Sequence, residues 1–291
     1  TASAEFKASS LKYSQQDVRA SSAALTAKIN DISIKVGLAG AQTKQMQTWN
    51  VEGLTVDVSD AQGLKANAAG DFSGTVKELT MQSKRLSGEI QSRIGTSTLQ
   101  VPFSGTVALA ANEKLSIDLK GTLDKSPWQT QLQVTGFSVP NVTGKVELES
   151  LVLDKWLTQE GNNAKKAALN DIDFIGKAYA APVQKLDVLN KANGRVGVHV
   201  KSLKYQGLTV NGVDTTLGLS KGVLSMNNLV ATTCSGKVTG NAQINTAEKW
   251  ALNVNVTGLD TEELIRSLGS NVMFYGKANA NVKLNGIGID Q

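Results

Sequence analysis

Alternation of apolar and polar residues recurs along almost the whole chain and restricts its fold more than any other feature. In KWALNVNVTG the large apolar residues Leu252, Val254 and Val256 occupy every second position, with Asn253 and Asn255 between them. An extended chain turns successive side chains to opposite faces, so such a strand has one apolar and one polar face. This pattern is typical of a sheet that has water on one side only.

The same alternation predicts many further strands of about five to seven residues, separated by turns rich in Gly, Asn, Asp and Lys. They include ISIKVGL, LTVDV, TVKELTM, TLQVPF, LSIDLKG, WQTQLQVTG, RVGVHV and ANANVKLNG. Because the turns are short, neighbouring strands should run antiparallel, since parallel strands would need crossover helices. We therefore predict a mainly β fold built on a long, twisted antiparallel sheet with a few short helices.

One polar region interrupts this rhythm and divides the chain. Residues 151–193 are poor in strand patterns and contain the polar stretch GNNAKK, with short helices predicted at 153–158 and 183–191. We therefore predict an N-terminal β segment over 1–150, a helical and loop insert over 151–193, and a C-terminal β segment over 194–291.

A short helix is predicted at 260–268, directly after the strand quoted above. Asp260 is suited to the N-cap, and Glu263 stands where a capping box requires an acidic residue. Leu259 and Leu264 occupy the two positions of a hydrophobic staple. Two helical turns are marginal in isolation, so we expect this helix to dock on an end or edge of the sheet.

Composition argues against several classes of function. The net charge of +5 arises from scattered lysines without interleaved aromatics, so no nucleic-acid partner is expected. The chain has one cysteine, Cys234, and one histidine, His199, which rules out an internal disulfide and a Cys-based metal cluster. Cys234 should be a structural thiol in a turn, and His199 an exposed strand residue. We expect no metal and no cofactor.

Acidic pairs are the only enzyme-like feature of the sequence. Glu147 and Glu149, and likewise Asp171 and Asp173, lie two positions apart and would share a face of an extended strand. Paired carboxylates can perform acid–base catalysis, but no pocket-forming motif stands beside them, and no phosphate-binding glycine motif occurs. We therefore predict that the protein is not an enzyme.

The apolar side of such a sheet has to be covered. A second sheet, closure of the sheet on itself, or a ligand held in a groove would each do so, and alternation alone does not separate them. A structural or binding β-sandwich and a ligand-carrying groove are therefore the two leading hypotheses.

The C-terminal part resembles a known family. The resemblance rests on LVLDKWL, a polar insert, LDVLNKANGRVGVHVKSLKYQGLTVNGVDTTLGLSKGVLSMNNLVATTCSGKVTGNAQI, then LNVNVTGLDTEELIRSLG and GKANANVKLNGIG. In their order these segments are similar to the AsmA-like proteins of the Gram-negative envelope, over roughly 150–291. Residues 1–150 share only the alternating β style.

The resemblance implies a location and a class of ligand. It implies a periplasmic body anchored in the inner membrane by an N-terminal helix that these 291 residues do not include. It also implies kinship with bridge-like lipid-transfer proteins, whose curved sheet lines an apolar groove for acyl chains. Phospholipid or another envelope lipid would be the ligand, with outer-membrane or periplasmic proteins as further partners.

On this basis the alternating residues of both halves are expected to line an open apolar groove. Those of the C-terminal segment are Val196, Val198, Val200, Leu217, Leu219, Leu252, Val254, Val256, Val282 and Leu284. Those of the N-terminal segment are Ile117, Leu119, Leu132 and Val134. Asn253 and Asn255 are expected to face water.

Overall fold

The computed structural model describes residues 2–14, 16–61, 63–94, 97–111, 113–154, 186–271 and 274–288. Its nineteen strands belong to one sheet. The strand pairings among the described residues are antiparallel, and the mainly β fold is confirmed. Two compact units divide the chain: Thr1–Glu149 with Gly194–Gly197, and Ser150–Asn193 with Val198–Gln291.

The first unit contains the strands that precede the insert. They are β1 (Ala2–Ser9), β2 (Lys12–Tyr13), β3 (Val18–Ala20), β4 (Ser22–Ile29), β5 (Ile32–Leu38), β6 (Gly40–Lys44), β7 (Thr48–Ser59), β8 (Lys65–Thr75), β9 (Met81–Ile94), β10 (Ser97–Ala110), β11 (Lys114–Leu123), β12 (Ser126–Thr135) and β13 (Asn141–Val152). From β7 onward, consecutive strands pair as hairpins. On its other side, β7 pairs with β6 along its first half and with β5 along its second half. Strand β5 pairs with β4, which pairs with β1. Strand β6 pairs with β3, which pairs with β2.

The second unit contains the remaining strands and two short helices. They are β14 (Asn193–Tyr205, of which Gly194–Gly197 fall in the first unit), β15 (Leu208–Ser220), β16 (Val223–Thr233), β17 (Gly236–Asn245), β18 (Lys249–Asp260), β19 (Lys277–Ile287), a 3₁₀ helix (Leu186–Asn190) and the α-helix α1 (Thr261–Ser267). From β15 to β19 each strand pairs with the next.

Several strands are longer than the alternation predicted. β9 and β10 each extend over 14 residues. Register shifts, such as the one between Gly105 and Ala108, insert extra residues without ending the strand, which is how β-bulges hide a continuous strand from pattern reading. TVKELTM is the opposite case: β8 ends at Thr75, residues 76–79 form a turn, and β9 begins at Met81.

The predicted insert lies largely outside the described residues. The helix expected at 153–158 falls there except for its first two positions. Within the range 183–191, the described portion is the 3₁₀ helix Leu186–Asn190. A 3₁₀ helix is the form that short helical segments commonly take.

Few side chains are fully shielded from solvent. Among the described residues, the buried hydrophobic side chains are Val200, Ala231 and Cys234, and no large side chain is completely buried. The extensive strand contacts are those between hydrogen-bonded neighbours. A sandwich would place a second sheet on the apolar face, and the described strands supply no such layer.

Candidate functional site: the apolar faces of the two units

In the first unit one apolar row crosses ten strands. Paired residues of antiparallel strands point to the same face, so the strand registers identify the row directly. Its members, in order from β1 to β13, are Phe6, Leu25, Val36, Val56, Ala68, Gly88, Phe103, Gly121, Trp128 and Leu148. At about 4.8 Å per strand, the row follows a path of about 40 Å.

The N-terminal residues predicted to line a groove lie on this same face. Ile117 pairs with Leu132, and Val134 pairs with Leu115. Leu119 follows Ile117 by two positions and therefore points to the same side. The structure thus places all four side chains on one face.

Two aromatic side chains on this face lie across glycines of neighbouring strands. Phe103 pairs with both Gly88 and Gly121, and Trp128 pairs with Gly121. A methyl group on Gly88 would lie 2.6 Å from Phe103 Cζ, and one on Gly121 would lie 3.0 Å from Trp128 Nε1. The rings therefore occupy the space that a side chain would fill.

These glycines also admit the backbone of the next strand. A methyl group would meet the carbonyl oxygen of Asn67 at Gly88 and that of Pro102 at Gly121. Glycine positions of this kind bend a strand, and covering them with an aromatic ring keeps the apolar surface continuous. The alternation of apolar and polar residues did not reveal these two glycines, because a glycine has no side chain to add to a hydrophobic pattern. The mid-strand glycines of LSGEI and LKGTL were the available signal.

The second unit has an equivalent apolar row. Registers align one residue from each of β15 to β19, namely Leu217, Met226, Ala242, Leu252 and Leu284. A second row beside it contains Leu219, Leu224, Ile244 and Trp250. The Trp250 ring covers Gly286, since a methyl group on Gly286 would lie 2.6 Å from Trp250 Cζ2.

Val254 and Val282 extend the apolar face of the second unit. They pair directly, and Val256 pairs with Val238 on the same side. Leu217, Val282 and Leu284 remain 38%, 40% and 39% exposed, so this part of the face is open to solvent. The predicted residues of β15, β18 and β19 are therefore brought together on one surface.

The three valines of β14 share one side of that strand. Nδ1 of His199 lies 2.6 Å from Oδ1 of Asp214. Asp214 pairs with Val230, which points away from the apolar face because the next residue, Ala231, pairs with Val238 on that face. His199 and Asp214 therefore lie on the polar face. Val198 and Val200 therefore point to the apolar face, on the opposite side from His199. Val200 is only 7% exposed, and Val196 lies in the portion of β14 that is assigned to the first unit.

The polar face of the second unit is less uniform than predicted. Asn253 was expected to face water, but its Oδ1 atom is buried and lacks a hydrogen-bond partner. Asn241, Asn253 and Asn255 line a shallow concavity with Asn227.

Helix α1 closes one end of the second unit. Asp260 is its N-cap, and its Oδ1 accepts a hydrogen bond from the Glu263 N–H at 3.0 Å. The reciprocal half of the predicted capping box is absent, because the Asp260 N–H donates to the Cys234 carbonyl and Glu263 Oε2 accepts from Ser235 Oγ. The helix is thereby held to the turn at residues 234–235.

The position of α1 is at strand ends. It contacts β15 and β18, and the Thr261 N–H donates to the carbonyl of Gly276, which directly precedes β19. Gly207, in the β14–β15 turn, is packed against the Ser267 carbonyl so closely that no side chain fits there. Cys234 lies in the β16–β17 turn and is buried, in keeping with the position predicted for it.

The chemistry available on these faces is apolar contact. Within the described ranges, no group of three or more His, Cys, Asp or Glu residues is arranged to hold a metal ion. The acidic residue Glu147 is held by Gln129 and Lys145 on the polar face, where it supports the strand pairing. Asp171 and Asp173 lie outside the described residues.

The described architecture defines a class of protein: an antiparallel β protein in which each of two units displays an apolar face. The chain belongs to the AsmA family, whose model matches residues 1–291. The family match therefore includes the N-terminal half, where sequence reasoning found only the general β style. Comparison with curated proteins and with solved structures yields no match. None of the described helices is long and apolar enough to cross a bilayer.

Proposed function

We propose that the protein is a non-enzymatic lipid carrier of the Gram-negative envelope that shields acyl chains on the apolar faces of its two units. The observation that carries this proposal is the row from Phe6 to Leu148, in which every residue is apolar or glycine across ten paired strands. Membership of the AsmA family supports an envelope role.

An acyl chain is the ligand that suits such a surface. Each methylene that leaves water contributes about 0.8 kcal/mol, and this gain requires no directional partner. A long, uniform apolar surface therefore holds a chain without fixing it at one position. A ligand with several polar groups would lose its hydrogen bonds to water there.

The proposal extends to location and direction. We place the protein in the periplasm, anchored to the inner membrane, where it would support phospholipid movement towards the outer membrane and outer-membrane integrity. Envelope proteins at either membrane would be its partners. The alternative, a β-sandwich module that affects outer-membrane assembly without carrying lipid, requires a covering sheet that the described strands do not form.

A pair of charge substitutions tests lipid binding on the second unit. Val254→Glu places a carboxylate on the apolar face, where it either keeps its water and interrupts the lipid contact or loses it at a cost of several kcal/mol. Because the neighbouring Val282 is 40% exposed, the empty fold should tolerate the charge. Mass spectrometry of co-purifying lipid should show a loss of occupancy with little change in melting temperature.

Asn241→Glu is the matched control, since this residue is exposed on the opposite face of the adjacent strand. Asn253 is unsuitable because its side-chain oxygen is buried. If wild-type protein and both variants carry no lipid from the envelope, the lipid-carrier proposal is wrong. If Val254→Glu unfolds while Asn241→Glu does not, the apolar face is permanently covered, as in a sandwich.

A further inference from the structure

The turns of the first unit lie alternately at the two opposite ends of its strands. The two sets of turns differ in the exposed apolar side chains that they carry. Lys44 pairs with Thr48, which pairs with Thr75, and Ala110 pairs with Lys114, which pairs with Thr135. These registers place one set of turns at the same end of the strands, which we call the apolar rim; its described residues are 14, 16–17, 45–47, 76–80, 111, 113 and 136–140. The described turn residues of the opposite rim are 30–31, 60–61, 63–64 and 124–125.

The apolar rim exposes large hydrophobic side chains at positions where turns are normally polar. They lie in four of its turns or directly beside them: Tyr13 (74% exposed), Met46 (42%), Val76 (40%), Leu79 (74%), Phe137 (47%) and Val139 (54%). The opposite rim has Ile29, Ile32 and Leu64, at 49%, 45% and 38%. Exposed apolar groups gathered at one edge indicate an interaction surface.

The backbone at two of these residues strengthens this interpretation. Leu79 has φ 50° and Met46 has φ 53°, in the left-handed region that favours glycine and asparagine. Leu79 thus combines an unfavourable backbone conformation with 74% exposure. Neither property stabilises the folded chain, so the presence of leucine here points to a contact outside the chain.

Charge also separates the two rims. Within two residues of its turns, the apolar rim carries five bases, Lys12, Arg19, Lys44, Lys77 and Lys114, against three acids, Asp17, Glu78 and Glu113. Over the same span the opposite rim carries three bases, Lys28, Lys65 and Lys125, against three acids, Asp31, Asp60 and Asp124. An anionic surface would therefore attract the apolar rim more strongly than the opposite one.

We propose that the apolar rim is a membrane-contact edge that inserts its turn side chains into the interface of an anionic lipid bilayer. One or two apolar side chains on each of several separate turns, with lysines between them, suit a fluid interface that accepts each side chain independently. A protein partner would favour a contiguous, closely packed patch. Tyr13 and Phe137 are residues that lie favourably at the headgroup level. This inference does not require the apolar faces to carry lipid.

Vesicle flotation of the full chain tests the proposal. We expect wild-type protein to float with vesicles of phosphatidylcholine and phosphatidylglycerol, and to bind vesicles of phosphatidylcholine alone more weakly. The triple variant Tyr13→Ser, Leu79→Ser, Phe137→Ser should lose at least about tenfold in bound fraction, since three inserted side chains are removed. The matched control is Ile29→Ser, Ile32→Ser, Leu64→Ser on the opposite rim, which should bind like wild type.

A site-specific probe distinguishes insertion from simple adsorption. Leu79→Cys, in a Cys234→Ser background, would carry an environment-sensitive fluorophore, with Leu64→Cys as the control label. Vesicles should shift the Leu79→Cys emission to the blue and leave the Leu64→Cys emission unchanged. Equal shifts at both positions would overturn the proposal, and so would flotation that is unaffected by the triple variant.

Leu79→Asn separates a membrane role from a structural one. Asparagine tolerates the left-handed conformation and is polar, so the variant should melt at a higher temperature than wild type while binding vesicles less well. A variant that melts lower shows that Leu79 is needed by the fold, and the rim is then not a contact edge. A wild-type dimer that the triple variant abolishes would identify a second copy as the occupant and would likewise overturn the proposal.

Discussion

Gly88 shows at the scale of a single residue how a β-strand position can depend on having no side chain. We predict that Gly88→Ala destabilises the chain by about 2 to 3 kcal/mol, because the new methyl group would meet the Asn67 carbonyl and the Phe103 ring. Urea unfolding measures the change. Gly40→Ala is the control: nothing lies within 4 Å of the added methyl group, so its effect should stay within about 0.5 kcal/mol.

Cys234 provides a second test at the residue scale. It has φ 44° in the two-residue turn between β16 and β17, and its Sγ lies 3.7 Å from Thr233 Oγ1. Because a hydroxyl fits the same space and has a hydrogen-bond partner there, Cys234→Ser should preserve the fold and any lipid binding. Circular dichroism and lipid occupancy check this. Loss of binding with an intact fold would instead indicate a reactive thiol.

At the scale of an element, α1 depends on its first residue. Asp260→Ala removes the side-chain acceptor of the Glu263 N–H, which should cost about 1 kcal/mol of unfolding free energy. Asp260→Asn keeps an acceptor at the same place and should recover most of the loss. Thermal melting of the three proteins gives the ranking. Equal melting temperatures for Asp260→Ala and wild type would show that the cap contributes nothing.

The link from α1 to the neighbouring turn is a separate, weaker contribution. Ser235 Oγ donates to Glu263 Oε2 at 3.0 Å on the protein surface. Since water competes for both partners, we expect Glu263→Ala to cost less than Asp260→Ala. The reversed order would mean that the helix is held mainly by its docking to the turn.

At the scale of the whole molecule, the outer strands predict self-association. Within the described part of the chain, β1 pairs with β4 alone and β19 pairs with β18 alone, so each leaves one row of backbone groups without a strand partner. Such edges template pairing with other chains. Light scattering should therefore show a rise in apparent mass with concentration.

Charge on the polar side of β19 should suppress this association. Asn281 and Asn285 are exposed on the polar face of β19, and lysines there would repel an incoming copy. The variant Asn281→Lys, Asn285→Lys should remain monomeric at concentrations where wild type associates. A wild-type protein that is monomeric at every concentration would contradict the prediction.

Alternation of residue types was sufficient to predict the fold class and the face of each strand. Leu252, Val254 and Val256 lie on one side because a period of two is a property of the extended chain itself. The position of α1 was predictable for the same reason, since Asp260 caps the helix through a backbone group only three positions further along the chain. These properties depend on local geometry, so the sequence of one segment is enough to predict them.

Relations between strands required the tertiary structure. Which residues share the row from Phe6 to Leu148 depends on nine registers, and each bulge shifts a register without leaving a clear mark in the sequence. The need for glycine at Gly88 comes from Asn67 and Phe103, which are remote in sequence. Likewise, Asp260 donates to Cys234 and Glu263 binds Ser235 because folding places that turn beside the helix. The sequence alone determined the two faces of each strand, whereas contacts between distant segments determined how the faces of neighbouring strands combine within each unit.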